Sequence, residues 1–356
     1  MSLRLAVIGA GAIGGLSAAL AAEAGHEVAI WSPRGAPRHG TVTDGRLALR
    51  CTGALVAEHS VALLPDAAAL SDWPILLLAV PGDAYPLLLP AVLAALQPGQ
   101  TVICGGALSL APLWLKEQAE ARGLTPGIVA WGTTLGTGRI TPERKIQVGT
   151  VRARFEAAAL PADRRDALLA TCVALFGDRF SAVDSLLLPL LSNINPVAHA
   201  GQVIPNLSRI ERHEAWQLFE HFGEAGGRIA AAIDAERIAI ATVFGQPVRS
   251  LARHYHLSYH VPEGPLPAIA AAIEADGRAP RGPVSLDHRY LDEDMPYGLA
   301  VYEVLGRIAA VPTPQISAAL TLLSCASGKE LRQGNPLIAW LGLEGMDVAG
   351  LRARCG

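Results

Sequence analysis

Residues 4–25 constrain the fold more tightly than any other stretch. "RLAVI" (4–8) is a short run of aliphatic and β-branched residues, and "GAGAIG" follows with glycines at 9, 11 and 14. The alanine-rich "GLSAALAAEAG" then has good helix propensity and stops at Gly25. "VAIW" (28–31) reads as a second strand. Strand, tight turn, helix, strand is the order of a dinucleotide-binding βαβ unit. Gly9 permits the turn, Gly11 lets the backbone approach a pyrophosphate, and Gly14 lets helix and strand pack closely. The helix N-terminus faces the anion. A lone GxGxxG is a weak signal; its place between a strand and a helix makes it specific. Gly9, Ala10, Gly11, Ala12, Ile13 and Gly14 are the expected cofactor cradle.

Cofactor choice is set at the end of the second strand. A site selective for NAD usually carries Asp or Glu there for the ribose 2′-hydroxyl. This chain reads "WSPRG": Ser32 takes the acidic position, Arg34 follows, and no acid occurs before Asp44. A carboxylate would repel a 2′-phosphate, whereas a hydroxyl and a guanidinium can bind one. NADP is therefore favoured, with NAD as the alternative if Arg34 is only an exposed loop residue.

The alternation continues. "PILLLAV" (74–80) reads as a strand buried on both faces, and "TVICGGA" (101–107) and "GIVAWGTTLG" (127–136) as later strands. Ligands bind outside the carboxyl ends of such strands, so Val80, Pro81, Gly105 and Thr134 are candidates to border the cofactor or substrate. "KIQVGTVRARFEAAAL" (145–160) suggests a hairpin-like β pair, followed by a helix in "ADRRDALLATCVALFG". Past Asp184 strand signals fade and helical periodicity takes over. The expected architecture is an α/β dinucleotide-binding domain over 1–184 and an all-helical domain over 185–356. A length of 356 residues with 51% hydrophobic content fits two cores.

Composition removes several classes. Only 17% of residues are charged and the net charge is −3, which suggests neither a nucleic-acid nor an acidic-membrane partner. No apolar stretch reaches the ~18 uninterrupted residues of a membrane span. The five cysteines include no CxxC pair, so neither a disulfide framework nor a zinc site is expected, and a reducing cytoplasm fits.

The second half poses a puzzle at "SNINPVAHAGQVIPN" (192–206). If residues 185–205 form one helix, Ser192, Asn195, His199, Gln202 and Asn206 fall on one stripe. The remaining surface is apolar, so the helix is buried and its polar seam needs partners or a ligand, because unpaired buried polar groups cost ~1–3 kcal/mol each. Pro196 should kink this helix and free the carbonyl of Ser192. Further on, "DHRYLDEDMPYG" (287–298) offers Asp294 and Arg289. Asp294 is either a helix N-cap ahead of Pro296 or a carboxylate that orients His199 and stabilises its imidazolium. Arg289 either binds a substrate carboxylate or forms a surface ion pair with Asp292 or Glu293. "HYHLSYH" (254–260) reads as a loop of aromatic and imidazole character near the substrate mouth; its spacing matches no common metal site, and no metal is expected.

"SNINPVAHAG", "IDAERIAI" and "HRYLDEDMPYGL", in this order behind the glycine motif, resemble the octopine/nopaline (opine) dehydrogenases. The resemblance runs over essentially the whole chain. It is specific in the Asn-Pro-x-x-His and Arg-Tyr-Leu-x-Glu-Asp segments and loose over 35–125 and 245–285. It implies a Rossmann-type domain joined to a helical domain like the C-terminal domain of 6-phosphogluconate dehydrogenases, with the active site between them. The reaction it implies is NAD(P)H-dependent reductive condensation of an α-keto acid, often pyruvate, with the amino group of an amino acid. Position by position, His199 matches the catalytic acid/base, Asp294 its dyad partner and Arg289 the arginine that holds a substrate carboxylate. Asn195, Gln202 and Thr134 are further candidate substrate contacts. The implied partners are small-molecule substrates, and an exposed flank of the helical domain could mediate a homodimer.

Two other readings compete. A keto-acid reductase without an amine, similar to the ketopantoate reductases, relies on a helical-domain lysine, and here the only lysine after position 145 is Lys329. A non-catalytic NADP-binding sensor would need no His199–Asp294 pair.

Overall fold

The computed structural model describes residues 2–277 and 279–356. The chain divides into two compact units, residues 1–190 with 354–356, and residues 191–353. The division falls within a short helix, and the last three residues return to the first unit.

The first unit is built on a twelve-stranded sheet. Strand β1 (Arg4–Ile8) leads through the glycine turn into helix α1 (Ala12–Glu23) and back to β2 (Glu27–Trp31). Then come β3 (Thr41–Thr43), β4 (Arg46–Gly53), β5 (Ala57–Leu64), β6 (Ile75–Leu78) and α2 (Tyr85–Ala95). They are followed by β7 (Thr101–Cys104), α3 (Ala111–Glu120) and β8 (Gly127–Trp131). β9 (Gly136–Ile140), β10 (Ile146–Val151), β11 (Phe155–Leu160), α4 (Arg165–Phe176) and β12 (Phe180–Val183) complete the unit. Spatial order is β12-β11-β8-β7-β6-β1-β2-β5-β4-β10-β9, with β3 beside β4. The central strands β8-β7-β6-β1-β2-β5 are parallel, and those from β8 to β2 are nearly all buried, as continuous aliphatic runs require, whereas β5 is mostly part-exposed. The order reverses at β1, between β2 and β6, which sets the ligand crevice at their carboxyl ends.

The expected pairing within 145–160 is not the one formed. β10 pairs antiparallel with β9, whereas β11 pairs with β8 and β12. Neighbouring runs usually pair, but Phe155 reaches Trp131 and Phe180 in one aromatic cluster with Phe176, which places β11 at the other side of the sheet.

His39, between β2 and β3, is fully buried, and neither ring nitrogen has a hydrogen-bond partner among the described residues. It packs against the first turn of α1, where a Cβ on Gly15 would come within 2.9 Å of Nε2. Arg144 closes the loop over it by donating to the carbonyls of Pro37 and Gly40, each at 2.9 Å. Burial, reinforced by Arg144, pushes the imidazole down from 6.5 to about 4. The unfolded chain therefore binds a proton that the folded protein refuses between those values, and stability rises with pH through this window. Acidification from pH 7 to 4 should remove about 3 kcal/mol through this group. Urea unfolding at the two pH values should show that loss, and His39→Leu should shrink it; an unchanged slope would contradict the assignment.

The second unit is helical. Helix α5 (Leu187–Leu191) straddles the division, followed by α6 (Asn195–Val203), α7 (Leu207–Glu211), α8 (Glu224–Val243), α9 (Leu251–Tyr259) and α10 (Leu266–Ala275). Then come α11 (Arg289–Asp292), a π turn (Met295–Leu299), α12 (Ala300–Ile308), α13 (Pro314–Ser327), α14 (Leu337–Trp340) and α15 (Val348–Cys355). No helix among the described residues is long and apolar enough to cross a membrane. The segment 254–260 is mostly the end of α9 rather than a loop: Ser250 caps the helix by accepting from the Arg253 amide. No group of three or more His, Cys, Asp or Glu among the described residues could hold a metal.

Residues 185–205 are not one helix. α5 ends at Leu191 and α6 begins at Asn195, with Pro196 in its first turn, where a missing amide hydrogen does no harm. Three side chains hold the break. Arg237 donates to the carbonyl of Leu191, Tyr302 donates to that of Asn193 at 2.6 Å, and Asn193 Oδ1 accepts from the Asn195 amide at 3.1 Å. Carbonyls satisfied this way have no need of a continuing helix.

Candidate active site

The glycine turn expected to cradle a dinucleotide lies in the first unit. Gly9 has φ +114°, and a Cβ there would lie 2.5 Å from the Ala79 carbonyl and 2.8 Å from Val80. A Cβ on Gly14 would overlap the Gly9 carbonyl, whereas nothing lies within 4 Å of one on Gly11. The turn is thus closed beneath and open above the helix N-terminus, as an approaching pyrophosphate requires. Val80 and Pro81 follow β6 and lie at the switch point beside the turn. Ser32 and Arg34 follow β2; Arg34 pairs with Asp83 at 3.6 Å, and both are exposed. Thr134 also belongs to this unit. Its hydroxyl donates to the Gly136 carbonyl at 2.8 Å and accepts from Arg152 at 3.2 Å. It lies near Gly106, in the loop after β7.

The second unit carries an imidazole–carboxylate pair. His199 Nδ1 lies 2.7 Å from Asp294 Oδ2, and Asp294 is 1% exposed. Close backbone approach brings them together. A Cβ on Gly298, in the π turn, would overlap the Pro196 ring, so the backbone of the turn rests directly on that ring in the first turn of α6. α6 beds on α8 in the same way, since a Cβ on Gly201 would come within 2.6 Å of Ala230. π turns recur at functional sites, where the extra residue re-aims a side chain. Asp294 heads this turn but does not cap it; its carboxylate goes to His199. With Nδ1 committed, Nε2 is the nitrogen left to take or give a proton.

Of the five stripe residues, Asn195, His199 and Gln202 lie on α6, at i, i+4 and i+7. Ser192 lies in the break and is not on the same helix. Asn206 is structural: its amide donates to the carbonyls of Gln202 at 2.8 Å and His221 at 3.2 Å. Gln202 is 1% exposed, and among the described residues neither amide atom makes a hydrogen bond of good geometry, although the side chain lies close enough to Tyr255 to act on its phenol.

Arg289 opens α11. Its Nε and Nη2 donate to Glu293 Oε2 at 2.9 and 2.8 Å, which is the local ion pair weighed from sequence. The side chain remains 58% exposed, with its Nη1 edge unbonded among the described residues. Burial works against its charge, but the Glu293 and Asp294 carboxylates outweigh this and raise its pKa.

Sequence reasoning missed Tyr290 and His288. The Tyr290 ring stacks on His199 with centroids 3.4 Å apart and planes 15° apart, and His288 meets Tyr290 edge-on at 4.5 Å. Burial pushes the Tyr290 phenol up to about 12. Burial, with the neighbouring His199 and Arg289 charges, holds His288 below its ordinary value. Asp234 and Arg237 were also missed as a unit. Arg237 is fully buried and bonds Asp234 through Nη2 at 2.7 Å. The only sequence signal was a pair of opposite charges at i, i+3 inside an apolar helix.

A family model described as the α-helical domain of NAD/NADP octopine/nopaline dehydrogenase matches residues 182–327. A solved octopine dehydrogenase with NADH and L-arginine superposes with a TM-score of 0.77 at 16% identity, covering 98% of this chain and 97% of that one. A yersinopine dehydrogenase with NADP+ bound gives 0.71 at 17% identity, covering 99% and 97%. The class is that of two-domain, nicotinamide-dependent oxidoreductases. An opine dehydrogenase of Arthrobacter sp. (strain 1C) is 30% identical over 98% of this chain and 97% of its own length. The chain belongs to the opine dehydrogenase family.

Proposed function

We propose that the protein reductively condenses a pyruvate-like α-keto acid with the amino group of an amino acid, with NADPH favoured over NADH and His199–Asp294 as its acid–base dyad. The observation that carries the reading is the 2.7 Å bond from His199 Nδ1 to Asp294, which leaves Nε2 for proton transfer in a member of this family. Relatives in complex with NADH and pyruvate, agmatine or L-arginine support the substrate classes.

The amine attacks the keto carbon, and the departing oxygen leaves as water to give an imine. His199 Nε2 protonates that oxygen in synthesis and takes a proton from water in the reverse direction. Asp294 fixes the tautomer and stabilises the imidazolium. Arg289 offers its free edge to the keto-acid carboxylate and so orients the carbon. Asn195 and Gln202 line the same helix face as polar substrate contacts; Thr134 is a further candidate from the first unit. The glycine turn at Gly9, Gly11 and Gly14 would hold NAD(P)H, which would supply the hydride for reduction of the imine. Ser32 and Arg34 would meet the 2′-phosphate, and the carboxylate that pairs with Arg34, Asp83, comes from the segment after β6.

Lys329 supports this reading over reduction without an amine. Its ammonium is engaged by Asp292 at 2.7 Å, Asp287 at 2.8 Å and the Leu286 carbonyl at 3.3 Å.

The deciding assay follows NADPH and NADH loss with pyruvate alone, then with pyruvate plus each of a set of amino acids. Loss is expected only with both substrates and faster with NADPH. Arg34→Ala should raise KM for NADPH by ~10-fold, the loss of one charge-assisted contact, with little change for NADH. Equal loss without any amino acid would overturn the condensation.

A further inference from the structure

We infer that Tyr290 is a positioning residue for the acid–base step: its ring face receives the imidazolium of His199, while Asp294 holds the edge of the same ring. This rests on the role of His199 in the condensation proposed above.

The packing of the two rings carries the inference. Their centroids are 3.4 Å apart and their planes 15° apart. That separation is about the contact distance between carbon atoms, so one ring lies squarely over the other with no room for a sideways offset. Between two neutral rings this is a disfavoured arrangement, because their electron-rich faces meet; neutral pairs slide apart or turn edge to face. Elsewhere in the helical unit Phe219, Tyr255 and Tyr259 do turn, with interplanar angles of 71°, 71° and 83°. A square stack becomes attractive when one ring is a cation, which the negative face of the other draws in.

One stretch of chain supplies both contacts. The Glu293 amide donates to the Arg289 carbonyl and the Tyr297 amide to the Glu293 carbonyl, each at 2.9 Å, so helical turns run from α11 into the π turn. Tyr290 and Asp294 are one turn apart and share a face. The carboxylate takes Nδ1 at 2.7 Å and the phenol ring takes the flat side. His288 braces the tyrosine: its Nδ1 accepts from the Tyr290 amide at 3.3 Å, and its ring meets Tyr290 edge-on. An imidazole that accepts at Nδ1 is neutral, and burial holds His288 in that form, so it sets no second cation beside His199. The other charged groups on the elements packed against α6 pair among themselves: Arg289 with Glu293, and Arg237 with Asp234 on α8. Burial keeps the Tyr255 phenol, beside Gln202, neutral. Among the described residues, Asp294 and the face of Tyr290 are therefore the groups that favour the imidazolium.

The test is an NMR titration of the histidine side chains in the full chain, with the His199 signal assigned by its loss in His199→Ala. It is run beside the pH profile of kcat/KM, with NADPH, pyruvate and the fastest amino acid of the assay above. Tyr290→Leu removes the ring face and should move the His199 titration to lower pH by about 0.5–1.5 units, the span of a cation–π contact. The alkaline limb of kcat/KM in synthesis should move with it, because the protonated imidazole is the form that acts. Tyr290→Phe keeps the face and should titrate as the parent does. Water entering the space left by leucine would solvate the imidazolium and move the titration the other way, so the sign separates this contact from loss of packing. Fluorinated phenylalanines at position 290, which weaken the face at nearly constant shape, read the same shift should Tyr290→Leu unfold. A titration unmoved or raised in Tyr290→Leu, or lowered as far in Tyr290→Phe, would overturn the assignment and leave the His199–Asp294 pair standing. A limb that stays in place while the titration moves would overturn the acid role of His199 instead.

Discussion

His199→Ala is expected to cut turnover by ~10²–10⁴-fold, the usual contribution of a positioned general acid/base, while leaving NADPH affinity nearly unchanged. The glycine turn that would hold the cofactor belongs to the other unit, so binding and chemistry separate cleanly in this variant. Fluorescence titration with NADPH and single-turnover kinetics measure the two halves. Asp294→Asn should also be slow, because an amide can offer Nδ1 the wrong hydrogen-bond partner and cannot stabilise an imidazolium. Near-normal turnover of His199→Ala would remove the dyad from the mechanism.

The largest stability effect should come from Asp234→Ala. Arg237 is fully buried, and among the described residues its charge is met by the Asp234 carboxylate, its other partners being the carbonyls of Leu191 and Arg249. Asp234 also accepts from the Leu251 amide at 2.6 Å. Removing the carboxylate leaves a desolvated guanidinium and an orphaned amide. Breaking a buried pair on one side costs about 3–5 kcal/mol. In a unit of this size that lowers Tm by roughly 10 °C. Calorimetry on the variant checks it. Replacing both partners with apolar residues of similar volume should recover part of the loss, because no buried charge then remains; no loss in the single variant would make the pair a bystander.

What could be read in advance followed from how local the causes are. The glycine turn, its strands and α1 depend on neighbours in sequence, and residues 4–31 folded as expected. His199 stood out because polar residues on a buried, otherwise apolar helix need partners, whereas Asp294 and Arg289 were candidates from a charged segment and from the family resemblance. The break at 192–194 could not be seen. The groups that cap its carbonyls, Arg237 and Tyr302, lie 46 and 109 residues from their acceptors. β11 was assigned to the nearer strand for the same reason, since its true partners are recognised through Trp131 and Phe180. Tyr290 was missed because a tyrosine beside a leucine reads as ordinary core, and only the fold shows which ring it covers.

The π turn at 295–299 carries a last consequence. Asp294 meets His199 because the helix runs one residue long at this point. Each residue of an α-helix advances the chain by about 100°. Deleting one residue from the turn would restore ordinary helical phase and swing the carboxylate by about that angle, off the imidazole, without altering any residue of the pair. The contact between His199 and Asp294 is therefore encoded in chain length as much as in residue identity, and a comparison that scores only matching letters would pass over the difference.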